Sequence, residues 1–531
     1  MSLALTKPEN PAALRDHGRL RGFAETQRPS LVAGAVAAVL LIAVAARLPW
    51  ADDLMLHLSV LHRLTADPLH PGNPVLDMGG SSIYYSPYML VLALTGKLFG
   101  LGAATLYAGA AVVNVLLLLT GLYRFVRTLS EARWAPPLAL IGLAFWWGTS
   151  AIAWSGFLSL LSLADTEAYP STLATALTLH LWATLNSRDA RWKASPARMA
   201  GLGALYGVIL LTHQFTALNA GLGCLAILIA QLYTLRTDRT VPLKTVALAL
   251  GTGLAVCAAV VAAWPYYHIW SVSQGELDVL DPVHRPLYAH MTAWFAMGVT
   301  VGAVALAVRS WRTRSVDALL LIFLICGAVV GYGWITGHWS YGRTWPMVML
   351  AAQLALAVTV AESRLRLRWL WGAVAAVMTA VGLVTQAGAL VYLLPSAWQH
   401  DAIRLLDHGH VRIKAYVDNR PHADWLDTYL KPGDVVAADN HNAQFEIAAH
   451  GAYDVTTPWY LPEVPAADWA ARNAATAALF APDTAPATRT SLLRTYHVDW
   501  LLLVDGETPP PDLDAQATAH GDGFWLYRVA G

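Results

Sequence analysis

Residues 47–64, RLPWADDLMLHLSVLHRL, set how the rest of the chain is read. They follow the uncharged run 31–46, LVAGAVAAVLLIAVAA, which with its flanks is long enough to cross a bilayer as one helix; about 20 mostly apolar residues suffice for that. Asp52 and Asp53 therefore stand where this helix leaves the membrane. Adjacent carboxylates at such a surface are costly without water or partners, and interfacial acids are candidates for function on that ground. A helical reading of 52–65 puts Asp53 and His57 one turn apart on one face. Two readings of the acids stay open. Either can serve as a general base, because mutual repulsion and partial desolvation raise one pKa toward neutrality. Alternatively, both cap the helix that follows and sit in headgroup water.

The composition puts the whole chain in the same setting. Of 531 residues, 56% are hydrophobic and 13% charged, against about 45–50% and about 25% in an average soluble domain. That is too little charge to cover the several soluble domains a chain of this length would otherwise form, and there is no basic stripe for nucleic acid. A soluble enzyme, a disordered scaffold and a nucleic-acid-binding protein are excluded. Cys224, Cys257 and Cys326 lie in apolar stretches without metal spacing and read as small core residues. The formal net charge of +0 is a cancellation. Residues 1–395 hold 26 Lys and Arg against 17 Asp and Glu, and residues 396–531 hold 9 against 18.

Short cytoplasmic loops collect Lys and Arg, so the basic residues order the apolar runs. Eleven spans are predicted, near 31–48, 104–124, 135–153, 169–187, 199–216, 218–235, 243–265, 291–308, 316–335, 344–361 and 369–394. The segment 1–30, with Lys7, Arg15, Arg19, Arg21 and Arg28, is cytoplasmic on this rule. It is too long and polar before the first apolar run for a typical cleaved signal peptide. The proposed cytoplasmic segments then hold 21 basic residues, and the outer side of the membrane part holds five: Arg47, Arg63, Lys97, Arg285 and Arg343. Residues 86–102 are apolar, but as a span they would put Arg124, Arg127 and Arg133 outside, so they are laid along the outer interface. Trp50, Trp154, Trp264, Trp339 and Trp345 fall near outer span ends, where aromatic belts form.

The expected architecture is a polytopic α-helical membrane domain, 31–395, with outer loops 49–103, 154–168, 266–290 and 336–343, followed by an extracytoplasmic α/β domain, 396–531. In the latter, Val435–Ala438, Trp500–Val504 and Phe524–Val529 read as strands, and 442–449 and 465–480 as helices. No internal repeat is evident, and no pair of matched broken helices of the kind that marks many transporters.

Further polar groups gather at outer span ends. The first outer loop continues into a Pro-, Gly- and Asn-rich segment in which Asp77, Tyr84 and Tyr85 can contact a sugar, while Gly79-Gly80 reads as a turn. Asp165 and Glu167 are the only charges of the second loop. They can face the first acids across a cavity to bind substrate, or hold a divalent metal with Asp52 or Asp53; otherwise they favour the N-terminus of the following span. His213 and Gln214 interrupt an apolar stretch, and a lone His there is more often structural. Tyr266, Tyr267, His268, His284, Arg285 and His290 lie in the third loop, and His338, Tyr341 and Arg343 in the fourth. An arginine at the outer edge of an apolar groove suits a phosphate, since its planar donors pair two oxygens at once; the alternative is snorkelling to lipid headgroups. Arg343 is favoured for the phosphate, with Arg285 second. There is no Walker loop, G-x-S-x-G, HExxH or paired CxxC.

These features together resemble the GT-C glycosyltransferases, among them protein O-mannosyltransferases, aminoarabinose transferases of lipid A and arabinofuranosyltransferases. The carriers of the resemblance are the first span ending in two acids, the long outer loop with its Pro/Tyr-rich end, the acidic second loop and a tail with KPGDVVAADN, TPWYLP, RTYHVDWLLLVD and FWLYRV. Asp52-Asp53 matches the family's Asp-Glu or Asp-Asp after the first span. Asp165 or Glu167 matches its second-loop acid, and Arg343 its lipid-phosphate arginine. The resemblance implies a polyprenyl-phosphate-linked sugar donor and an acceptor hydroxyl on an extracytoplasmic glycan, lipid or protein. Asp52 or Asp53 would be the catalytic base in an inverting transfer. Asp165, Glu167, His57, Tyr84, Tyr85 and His338 would contact substrate, and Arg343, Arg285 and His284 would bind the lipid phosphate. No cofactor is required, although a divalent metal is compatible with the acids. The expected location is the plasma or inner membrane. Two other classes compete: a transporter or flippase for a lipid-linked saccharide, which calls for acids near the midplane and repeat symmetry, and an inactive scaffold whose acidic tail binds partners.

Overall fold

The computed structural model describes residues 11–47, 53–80, 82–187, 195–238, 242–269, 281–313, 316–408, 422–461 and 463–529. Trp50, Asp52 and Lys7 lie outside these residues. The chain is a polytopic α-helical membrane protein. Its membrane part contains α1 (Pro11–Ala45), α2 (Leu54–Ala66), α3 (Pro87–Phe99), α4 (Ala103–Leu129), α5 (Ala135–Phe145), α6 (Leu160–Thr166), α7 (Pro170–Leu185), α8 (Pro196–Thr212), α9 (Gln214–Asp238), α10 (Leu243–Ala262), α11 (Met291–Thr313), α12 (Ala318–Thr336), α13 (Trp345–Glu362) and α14 (Leu365–Thr385).

Among the described residues, eight helices are long and apolar enough to cross a membrane, and each coincides with one of the predicted spans. The other three predicted spans, 135–153, 169–187 and 199–216, are the shorter helices α5, α7 and α8, of 11, 16 and 17 residues. For the first of these the reason is visible. Helix α5 ends at Phe145, and residues 146–159 run without helix. Non-helical backbone within a membrane protein needs internal partners, and here it finds them. The Trp146 carbonyl accepts from Gln353 Nε2 at 3.0 Å, the Trp147 carbonyl accepts from the Gly298 N–H at 2.9 Å, and the Thr149 N–H donates to the Ala293 carbonyl at 2.7 Å. Gly148 lets the two segments meet, since a Cβ there would lie 2.0 Å from that same Ala293 oxygen.

Helix α13 is buried along nearly its whole length, packed among α5, α11, α12 and α14. Helices at the periphery instead expose apolar side chains, such as Leu31, Val32, Val36 and Val39 of α1. The apolar segment at 86–102 is α3, opened by Ser86, whose hydroxyl accepts from the Met89 N–H at 3.3 Å, and closed by Gly100 at φ +66°. Its 13 residues rise about 20 Å, short of the roughly 30 Å hydrocarbon core.

The tail holds α15 (Ser396–His408), α16 (His441–Ala449), α17 (Ala466–Phe480), α18 (Pro486–Thr495) and strands β1 (Val435–Ala437), β2 (Tyr453–Asp454), β3 (Val498–Val504), β4 (Ala515–Gly521) and β5 (Phe524–Val529). The sheet order is β2-β1-β3-β5-β4, with β1 parallel to β2 and β3, and β5 antiparallel to β3 and β4. Four elements, α15 among them, are absent from the sequence reading. Strand β2 is only two residues long, β4 is a largely exposed edge strand without an apolar alternation, and α18 is announced only by Pro486 at its first turn.

The tail is mounted on the segment between α1 and α4, the first loop. The Asp454 N–H donates to the Val75 carbonyl at 2.8 Å, and Leu76 forms a parallel bridge with Asp454, so the loop extends the sheet beyond β2. The Arg63 guanidinium lies 3.4 Å from the centre of the Tyr453 ring. Ala448, Ala449, Leu461 and Val464 join the apolar cluster of α2 and α3. A Cβ at Gly451, φ +75°, would lie 2.7 Å from the His62 ring.

His450, at the end of α16, makes the tail sensitive to pH. Burial opposes its charge, but the carboxylates of Asp427, at 2.7 Å, and Glu446, at 3.4 Å, outweigh it and hold the imidazolium up to about 9. A raised folded-state value contributes stability that is full below the ordinary histidine value near 6.5 and is lost as pH rises through about 9. Raising the pH from 7 to 10 is expected to speed limited proteolysis of the tail, and the His450→Gln variant should lose that dependence.

Candidate active site

Asp53 is the N-cap of α2, but its side chain makes no capping bond there. Its carbonyl accepts from the His57 N–H at 3.1 Å, which fixes the one-turn spacing read from the sequence. His57 itself faces inward. Its ring lies 4.7 Å from Tyr169, 5.6 Å from Tyr107 and 5.6 Å from Tyr84, and its Nδ1 has no hydrogen-bond partner. Burial pulls its pKa down to about 3, so it stays neutral in any physiological medium.

Tyr84 packs edge-on against His57. Its hydroxyl is pushed well above the usual phenol range, first by burial and then by the negative charges of Asp53 and Glu463, with Arg343 acting in the opposite sense. These four residues come from the first loop, the tail and the start of α13. Tyr85 does not join them. Its hydroxyl donates to the Gly72 carbonyl at 3.0 Å, and its own carbonyl accepts from Trp264 Nε1 at 3.0 Å, so it holds the loop together instead of facing a sugar. Asp77 is likewise engaged, with its carboxylate 3.2 Å from His497 and its carbonyl accepting from Arg472.

Arg343 lies in the 3₁₀ turn Trp339–Thr344 that leads into α13, and it is only 8% exposed. Its guanidinium sits 5.0 Å over the Phe215 ring, and its carbonyl accepts from Asn219 Nδ2 at 2.9 Å. Gly156, at φ +81°, lies beside it: a Cβ there would be 3.7 Å from Nη2. His284 reaches the same Phe215 ring, edge-on at 5.3 Å, and its Nδ1 is 3.2 Å from Ser340 Oγ. Arg285, the next residue, is exposed and is not brought to this group. His338 is half-exposed and pairs with Asp281 at 3.5 Å, so it belongs to the rim.

Asp165 and Glu167 are both buried at 3% exposure. They line a small cavity with Leu54, Tyr107 and Tyr169, next to the turn that carries Asp53, with space for about one water molecule. Burial and then the Asp165 charge drive the Glu167 carboxyl well above the usual range. Among the described residues, no three His, Cys, Asp or Glu side chains are grouped to hold a metal ion.

His213 ends α8, its Nδ1 2.8 Å from Thr216 Oγ1, and Gln214 Nε2 donates to the Tyr267 hydroxyl at 3.2 Å. The site residues that the sequence reading did not name are Phe215, Asn219 and Gly156 around Arg343, and Glu463 with Ser82 beside Tyr84. Phe215 and Asn219 follow the polar interruption at His213, which was a local signal. Glu463 has none.

No family model and no curated protein matches the chain. Solved structures do. The arabinofuranosyltransferase AftD from Mycobacteria superposes with a TM-score of 0.55 at 15% identity, covering 95% of this chain and 40% of that one. The apo form of ArnT from Cupriavidus metallidurans gives 0.53 at 16%, covering 94% and 97%. The Archaeoglobus fulgidus oligosaccharyltransferase AglB, in complex with an inhibitory peptide and a dolichol-phosphate, gives 0.51 at 12%, covering 90% and 69%. The chain has the GT-C fold.

Within that fold, Asn114 of α4 ties the second loop to the first. Its Nδ2 donates to the Tyr88 hydroxyl at 3.1 Å and to the Glu167 carbonyl at 3.0 Å, and the Tyr88 hydroxyl donates to the Ala168 carbonyl at 2.6 Å. Asn114→Ala leaves a buried carbonyl without its donor, at a cost of about 1–3 kcal/mol. A lowered thermal unfolding midpoint of the detergent-solubilised protein is expected.

Proposed function

We propose that the chain is a membrane glycosyltransferase that moves a sugar from a polyprenyl-phosphate donor to an acceptor hydroxyl on the extracytoplasmic side, with inversion. The feature that carries this reading is the electrostatic coupling of Asp53, Tyr84 and Arg343 at one end of a bundle with the GT-C fold. It is supported by the ArnT structure bound to undecaprenyl phosphate, which superposes with a TM-score of 0.52 at 14% identity. The acceptor is a surface glycan, lipid or protein, and the sugar a hexose or pentose. The basic loops put the N-terminus in the cytoplasm and the tail outside.

In the proposed reaction, Asp53 or its neighbour Asp52 takes the proton of the acceptor hydroxyl. The acceptor oxygen attacks the anomeric carbon from the face opposite the phosphate. The bond from that carbon to the phosphate oxygen breaks, and its electron pair leaves with the polyprenyl phosphate. Arg343, with His284 beside the same aromatic ring, offsets the developing charge, and a fixed cation at a developing anion is often the largest catalytic term. Tyr84 and the buried acids Asp165 and Glu167 contact or shape the sugar side. This scheme routes no step through a metal. A transporter would need its acids near the midplane, whereas Asp53, Asp165 and Glu167 all lie at or beyond helix ends.

A general base contributes about 10²–10⁴ in rate. In a deletion strain, wall and surface polymer composition should be restored by the wild-type gene and not by the Asp52→Asn/Asp53→Asn double variant. Full restoration by both single variants would remove the base assignment. Arg343→Ala should weaken binding of undecaprenyl phosphate to the purified protein by about tenfold or more, the worth of a charge-assisted hydrogen bond. Unchanged affinity would exclude the phosphate role.

A further inference from the structure

The tail places one carboxyl inside the first-loop core. Glu463 lies between Leu461 and Val464, both of which pack in the apolar cluster of α2 and α3. Its Oε1 accepts from the Ser82 hydroxyl at 2.7 Å, and the same Ser82 oxygen accepts from the Tyr84 N–H at 3.3 Å. Its Oε2 is buried without a hydrogen-bond partner. The charge of Glu463 acts on the Tyr84 hydroxyl together with those of Asp53 and Arg343.

As an adhesive for the tail this is a poor arrangement. A half-satisfied buried carboxyl costs stability, and an apolar residue of similar volume in such a position is neutral or stabilising. The backbone bridge at Val75 and Asp454 and the surrounding apolar contacts already dock the tail. What the carboxyl adds is the chain of hydrogen bonds from Glu463 through Ser82 to the Tyr84 backbone. We infer that Glu463 is a positioning residue: delivered by the tail, it fixes Ser82 and through it Tyr84, so that the active site is complete only with the tail docked. This rests on the glycosyltransferase reading above.

The test uses the full chain in the deletion strain, with polymer composition as one readout and limited proteolysis of the tail as the other. Glu463→Met should leave the tail at least as protease-resistant as in the wild type, yet restore a tenth of the polymer or less. Glu463→Gln, which still accepts from Ser82, should restore at least half. Ser82→Ala breaks the chain from the loop side without altering the tail, and should fall below half. Wild-type polymer from Glu463→Met or from Ser82→Ala, or a Glu463→Gln variant as poor as Glu463→Met, would overturn the inference. The Asp52→Asn/Asp53→Asn double variant separates the two levels. If it too restores polymer, the reading of the site fails; if it does not while Glu463→Met does, only the role of Glu463 fails.

Discussion

The attraction between Asp53 and Arg343 ties together parts of the chain that are nearly 300 residues apart in sequence. Burial makes the Arg343 charge costly, and the Asp53 carboxylate offsets part of that cost. Arg343 is fixed from several sides, with Asn219 on its carbonyl, Phe215 beneath its guanidinium and Gly156 against it. Its position at the start of the most buried helix of the bundle makes it a rigid reference point. Asp53 is placed by α2, and α2 is in turn the element on which the tail rests.

Much of this was readable in the sequence wherever the signal was local or scarce. Long apolar runs identified the eight long helices. Because basic residues are few in the loops predicted to be outer, Arg343 stands out by position, and Asp53 stands out at the end of the first run, while Asp52 lies outside the described residues. Side-chain direction was not readable, because it depends on distant partners. His57 is on the expected face of α2, but Tyr107 and Tyr169, brought in by α4 and by the residue before α7, close over it. Tyr85 and Asp77 have the chemistry of sugar ligands and are claimed instead by Gly72 and by His497 of the tail. Arg285 and His284 are adjacent in sequence, yet only His284 reaches Phe215. Glu463 meets Ser82 across 381 residues, a distance at which no periodicity or spacing gives a hint.

The tail illustrates how a soluble unit is attached to a membrane part without a large flat interface. A strand edge must be paired, covered or blunted, and the two-residue β2 has its edge met by the loop segment around Val75 and Leu76. That pairing fixes the register between Val75–Leu76 and β2, and further along the tail Glu463 meets Ser82. The cation–π contact of Arg63 with Tyr453 and the Asp77 contacts lie along the same seam. A joint of this kind holds one orientation, which an apolar patch alone would not specify.

The early end of α5 belongs to the same logic. A helix continued to residue 153, as its hydropathy suggested, would carry the chain past the bundle and leave the second loop to start farther out. Stopping at Phe145 instead lets residues 146–159 run among α11 and α13, with their carbonyls and N–H groups met by Gln353, Gly298 and Ala293. That path delivers Gly156 to the side of Arg343 in a left-handed conformation open to glycine without strain. It then turns into α6, which carries Asp165, with Glu167 following at its end beside the Asp53 turn. Several of the lost helical bonds are replaced in this way, and what the chain gains is a second loop that runs past Arg343 and closes against the first beside α2.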